Sequence, residues 1–213
     1  MEIIKRDYNH PSIVTWVPFN ESWGVNDIGR DNQQQHYSLG LYHLIHSLDT
    51  TRPVISNDGW EMTRSDIGAV HHYGHGEAEE REKYEKFKFD IRTLDAILDS
   101  KSANRSIYAS GFSHQGEPIL LTEFGGIGYK KGEQDGWGYS SVDNEEQFLS
   151  EYKRVIEAVY DSEVIAGFCY TQLYDVEQEI NGLLTYDRNP KADVSKVKEI
   201  NNSPHFKFKK GNE

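Results

Sequence analysis

The sequence holds one cysteine, Cys169, in 213 residues. A single thiol excludes an intrachain disulfide framework and a cysteine-based zinc site. Its place in the apolar run "EVIAGFCYTQL" predicts a small core residue. Positive charge is scarce as well: 23 Lys and Arg against 35 Asp and Glu leave a net charge of −12. Such a chain repels phosphate backbones and anionic lipid, which argues against nucleic-acid and membrane-surface partners. The only dense block of charge, "GEAEEREKYEKFKFD", alternates in sign and reads as a solvated helix face. No apolar stretch approaches the roughly 18 residues of a membrane helix, and "MEIIKRD" carries no signal-peptide core. Repeats and low-complexity tracts are absent.

What the sequence does have is aromatics, 12% of the chain with 13 Tyr, 9 Phe and 4 Trp, enough to build a core in an otherwise polar composition. Strand-like and helix-like segments alternate. Apolar runs "SIVTWVPF", "RPVIS", "DIGAVHHY", "EPILLTEFGG" and "EVIAGFCYTQL" predict five strands. Between them, helices are expected over 34–48 (stripe Leu39, Tyr42, Leu44, Ile45, Leu48), 78–99 (Phe87, Ile91, Leu94, Ile97, Leu98) and 143–160 (Phe148, Tyr152, Val155, Ile156, Val159), the last capped by Ser141 or Asp143. A long Gly-rich loop is expected from Gly125 to Tyr139, and a short helix with a basic end (Lys207, Lys209, Lys210) after Pro190. Near-continuous apolar strands alternating with helices argue for an α/β fold with a parallel sheet flanked by helices. No Gly-rich phosphate fingerprint follows the first strand, which disfavours a dinucleotide-binding sheet. Residues 1–213 read as a single domain, with a core over about 5–191 and a tail over 192–213.

Polar residues gather immediately after strands: Asn20-Glu21, Asn57-Asp58, His72-Tyr73, Glu123 and Tyr170-Thr171-Gln172. In a (β/α) barrel those ends converge on one mouth. Glu21 in "VPFNE" and Glu123 in "LLTEFGG" occupy matching positions. Two carboxylates facing a sugar-sized cleft are the minimum equipment for breaking a glycosidic bond, one protonated and one ionised. Strand alternation puts His71 and Tyr73 on one face and His72 on the other, so His71 is expected in the pocket if Tyr73 is. Trp23, Asp58 and Trp60 follow strand ends, where sugar stacking or hydroxyl binding and, for each Trp, core or rim packing are all open. The spacing of His71, His72 and His75 lacks the helical register of a zinc site, so neither a metal nor another cofactor is expected. His43 and His46 sit near the end of a helix, an ordinary surface position.

Four ordered segments, "RDYNHPSIVTWVPFNESWG", "RPVISNDGW", "ILLTEFGG" and "GFCYTQLYDVEQEINGLLTYDRNPK", resemble the catalytic barrel of glycoside hydrolase family 2, the β-galactosidase, β-glucuronidase and β-mannosidase group. The resemblance runs from about Lys5 to Lys191. It implies a partial (β/α)8 TIM barrel whose five strands match the fourth to eighth. It also implies a retaining glycosidase, with Glu123 as nucleophile, Glu21 as acid/base and Asn20 on the sugar 2-hydroxyl. Tyr73 would support the nucleophile, and Tyr170 stands where the family commonly has a tryptophan floor. The Asn-x-Lys motif of glucuronidases should fall at Glu179-Ile180-Asn181, which has no lysine; this argues against β-glucuronides and makes β-galactosides the first choice, with mannosides or other hexosides still open.

A complete barrel takes about 250 residues. The chain is therefore expected to be a piece lacking a first barrel half and β-sandwich domains, with Glu2–Asp7 ending the helix before the fourth strand. Its partner is expected to be a carbohydrate. The alternatives are a non-catalytic half-barrel that binds carbohydrate or a protein partner, and a metal-dependent hydrolase, for which no convincing ligand set is visible.

Overall fold

The computed structural model describes residues 1–132 and 135–203, so the basic end at 207–210 lies outside the described residues. In chain order the elements are α1 (Glu2–Asp7), α2 (Asn32–Leu48), β1 (Gly68–His72), α3 (Arg81–Asp90), α4 (Leu94–Asp99), β2 (Ile119–Gly125), β3 (Ile127–Tyr129), β4 (Ser140–Val142), α5 (Glu145–Tyr160), β5 (Ile165–Thr171) and α6 (Val194–Asn201). Strands β1, β2 and β5 form one sheet in the order β1-β2-β5, and β3 pairs with β4 in parallel. The architecture is α/β, parallel sheets flanked by helices, a partial barrel; no closed barrel forms among the described residues.

The chain divides into two compact units. The first comprises Met1–His72, Leu94–Glu123 and Val164–Phe168; the second comprises Tyr73–Thr93, Phe124–Glu163 and the chain from Cys169 onward. In the first unit Ile4 of α1, Tyr42 and Ile45 of α2, Trp16 and Val54 make a core, with Ile13 and Leu48 packed against it. The Trp16 indole N–H donates to Asp49 Oδ2 at 2.9 Å, and Asp49 also accepts from Thr51 and Arg52, fixing the end of α2 to the first apolar run. Leu44, expected on the buried stripe, is exposed on the far side of α2. In the second unit α5 buries all five predicted stripe residues; the Phe148 ring lies 5.6 Å from Tyr129 and 6.3 Å from Tyr152.

Several expectations need correction. The first two apolar runs are extended but are not ladder strands: they touch through single parallel bridges, Trp16↔Val54 and Asn20↔Asp58. Pro18, between them, has no N–H to continue the ladder. The helix expected over 78–99 is broken between α3 and α4, because Ser162 and Glu163 take the carbonyls of Ile91 and Arg92. The cap of α5 is Asn144, whose side chain accepts from Gln147 N–H at 3.0 Å, while Gln147 accepts from Asp143 N–H; Ser141 is committed to β4. The Gly-rich loop holds β3, which pairs with β4 just beyond the loop, a pairing of three residues each that has no periodicity to read. Cys169 is exposed, not core, because it sits on β5 at one end of the strand order.

Candidate active site

Glu21 is displayed by an unusual turn. Glu21 and Ser22 are both left-handed, with φ of 52° and 61°. Neither is glycine, and such a backbone costs about 1–3 kcal/mol per residue unless its surroundings enforce it. Here Glu21 N–H donates to the Asp58 carbonyl at 2.9 Å and Trp23 N–H to the Asn20 carbonyl at 2.9 Å. The pairing brings 57–59 alongside 19–21, so Asp58 arrives next to Glu21 although 37 positions separate them in the chain. Glu123 comes from β2, and His71 from β1.

These four side chains meet within the first unit. His71 is fully buried; its Nδ1 lies 2.8 Å from Glu21 Oε1 and 3.3 Å from Glu123 Oε2. On the other side His71 Nε2 lies 3.2 Å from Asp58 Oδ1, at ion-pair distance but off the hydrogen-bond angle. Thr122 donates to Asp58 at 2.5 Å and holds it there. One oxygen each of Glu21 and Glu123 and a ring nitrogen of His71 all lie within 4.8 Å of one another. The ring edge of Trp60 faces His71 at 5.8 Å, and Gly59, at φ +102°, leaves the room the imidazole occupies: a methyl there would stand 2.8 Å from Nδ1.

Burial alone pushes the His71 imidazole down, but the close polar contacts with Asp58 and Glu21 and the charges of Asp58 and Glu123 outweigh it, raising the pKa to about 9. The histidine is then an imidazolium at neutral pH, facing Asp58, Glu21 and Glu123. A divalent cation could use Glu21, His71 and Glu123 only by displacing that proton, since an imidazolium offers no lone pair. The cluster therefore suits carboxylate chemistry better than metal binding. His75, in contrast, is in the second unit, buried, with its two ring nitrogens on the carbonyls of Gly76 and Gly125.

The remaining expected site residues divide in two. Asn20 and Trp23 flank Glu21 at the surface, Trp23 with 73% of its area exposed. Tyr73 and Tyr170 belong to the second unit. Tyr73 stacks on Tyr139, centroids 3.6 Å apart, and donates to Thr171 Oγ1 at 3.0 Å. The Tyr170 ring lies against Gly125 and its hydroxyl accepts from Ile127 N–H at 3.2 Å; burial pushes its phenol pKa up. Sequence reading missed Ser22, Glu61, Arg105, Thr122 and the ring-facing role of Gly59. Only Gly59, in the turn signal "NDG", left a trace.

The parallel sheets flanked by helices are those of a partial barrel, and the family model for glycosyl hydrolases family 2, TIM barrel domain, matches residues 1–206. The chain belongs to that family. A curated relative, the β-glucuronidase of Canis lupus familiaris, is 29% identical over 139 residues, 57% of this chain and 20% of that protein. Among solved structures, a GH2 β-galacturonidase from Eisenbergiella tayi bound to glycerol superposes with a TM-score of 0.60 at 22% identity, over 95% of this chain and 35% of that one. A Faecalibacterium prausnitzii β-glucuronidase gives 0.62 at 21%, over 97% and 34%. At these identities the structures share the fold. The chain spans about a third of their length.

Proposed function

We propose that this chain supplies the catalytic carboxylates of a retaining β-glycosidase, with Glu123 as nucleophile and Glu21 as acid/base. The observation that carries the reading is the separation of the two acids. Oxygens of Glu21 and Glu123 within 4.8 Å suit the retaining arrangement, about 5–5.5 Å between carboxyls, and leave no space for the water of an inverting enzyme at about 6.5–9.5 Å. Glu123 attacks the anomeric carbon as the glycosidic bond breaks, and Glu21 gives its proton to the departing oxygen. Water then attacks the glycosyl ester, Glu21 takes the water's proton, and the Glu123 carboxylate is released.

Asn20 is the proposed partner of the sugar 2-hydroxyl, Asp58 of a further hydroxyl, and Trp23 a stacking surface. The family resemblance assigns Tyr73 to the support of a nucleophile and Tyr170 to the floor of a sugar subsite. His71, with no exposed surface, serves the substrate through the carboxylates it bridges. The proposed substrates are β-galactosides, since Glu179-Ile180-Asn181 offers no lysine for a sugar carboxylate. A uronide is the second reading, favoured by relatives named β-glucuronidase and β-galacturonidase.

Nitrophenyl β-galactoside, β-glucuronide and β-galacturonide, given to the intact protein and to its Glu123→Gln variant, test this. We expect the galactoside to be cleaved fastest and the variant to lose at least about a thousandfold, the range of such groups. Faster uronide cleavage moves the substrate class to uronides. Activity that survives Glu123→Gln removes the nucleophile assignment. Binding without hydrolysis of any of the three favours a carbohydrate-binding module.

A further inference from the structure

The left-handed turn that displays Glu21 is held from behind by a buried chain of side chains that does not reach the carboxylate cluster. Ser22, with no exposed surface, donates its N–H to Asn57 Oδ1 at 3.0 Å and accepts from Asn57 Nδ2 at 3.0 Å. Asn57 is itself fully buried and tied to the Trp60 carbonyl at 2.7 Å. The Ser22 hydroxyl donates to Glu61 Oε2 at 2.7 Å, and the same oxygen accepts from Arg105 Nη1 at 2.7 Å. Glu61 is also left-handed, φ 47°, and its N–H is bonded to the Ser106 carbonyl at 2.8 Å, beside the arginine. Gly29 packs against the Glu61 carboxylate, where a methyl group would overlap it.

We propose that Glu61, fixed by Arg105, is the positioning residue for the acid/base: it holds Ser22, and through Ser22 the reach of Glu21 toward the leaving oxygen. The proposal rests on the acid/base reading of Glu21. A carboxylate at this point is otherwise costly, since it is largely withdrawn from water; its hydrogen bond to Ser22 and ion pair to Arg105 are what retain it. A turn with two left-handed non-glycine residues relaxes when its enforcing contacts go. Relaxation moves Glu21 first, as the residue next to the clamped serine, and leaves Glu123 on its strand.

Loss of acid reach has a chemical signature that loss of folding lacks. A poor leaving group needs the proton; a dinitrophenolate does not. In Glu61→Gln of the intact protein we expect kcat/KM for a phenyl or alkyl β-glycoside to fall about 10- to 100-fold, within the range of one positioned acid. The 2,4-dinitrophenyl glycoside should change less than about threefold. Gly29→Ala, which pushes on the same carboxylate, should show the same selectivity. An equal fall on both leaving groups, or no fall on either, overturns the proposal. Glu123→Gln must abolish turnover of both substrates; if it does not, the nucleophile reading fails separately. A crystal structure of Glu61→Gln decides the positioning claim without activity, since an unmoved Glu21–Ser22 turn overturns it and a displaced one supports it.

Discussion

His71 is a buried cation whose charge depends on its neighbours. Burial lowers its proton affinity, and Asp58, Glu21 and Glu123 raise it by more, to about 9 from an ordinary 6.5. A pKa higher in the folded chain than in the unfolded one stabilises the fold fully below about pH 6.5, and that contribution is lost as pH rises through about 9. Urea unfolding should therefore show a lower midpoint at pH 9.5 than at pH 6, with most of the change between pH 6.5 and 9. His71→Asn, which cannot be charged, should flatten that dependence. An unchanged slope in the variant would place the alkaline loss elsewhere. The same residue explains why Gly59 stands in the turn before it: any side chain there would press on the imidazole.

At the scale of elements, α5 is the best-founded piece of the second unit. It is capped by Asn144, and buries Phe148, Tyr152, Val155, Ile156 and Val159 along one stripe. Phe148 is fully buried and packs its ring on Tyr129 of β3, so it secures the short parallel β3–β4 pair as well as the helix. Phe148→Ala should cost about 3–5 kcal/mol in chemical denaturation, the range for a deleted core phenylalanine. A loss under about 1 kcal/mol would mean that the site collapses around the cavity. The helices were legible because each repeats an apolar residue every three or four positions. The two bridged runs near Trp16 and Val54 were legible as extended but not as unladdered, since pairing depends on the partner segment and on Pro18.

For the molecule as a whole, the notable surface is aliphatic. Ile3 on α1 and Val14 and Val17 on the first extended run are exposed at 62%, 73% and 42%. Exposed β-branched residues on an extended segment are an association risk, and lysine is the usual guard at such edges. The 213-residue polypeptide on its own should self-associate in sedimentation velocity, and Val14→Lys with Val17→Lys should raise the monomer fraction. A monodisperse unsubstituted polypeptide would show that this strip is harmless. The net charge of −12 works in the same direction as the lysines would, by repulsion, but it does not cover an apolar strip.

By itself the sequence determined the alternation of helices and apolar runs, and it put an acid toward the C-terminal end of two of those runs, because periodicity and residue type are local properties. It also carried the family resemblance, which lies in short contiguous segments. Only the tertiary structure decided that Glu21 and Glu123, 102 positions apart, come within 4.8 Å, that three acids keep His71 charged, and that Arg105 reaches Glu61 behind the Glu21 turn. Those facts depend on which segments lie side by side, and hydrogen bonds and charges between distant segments leave no period in the chain that forms them.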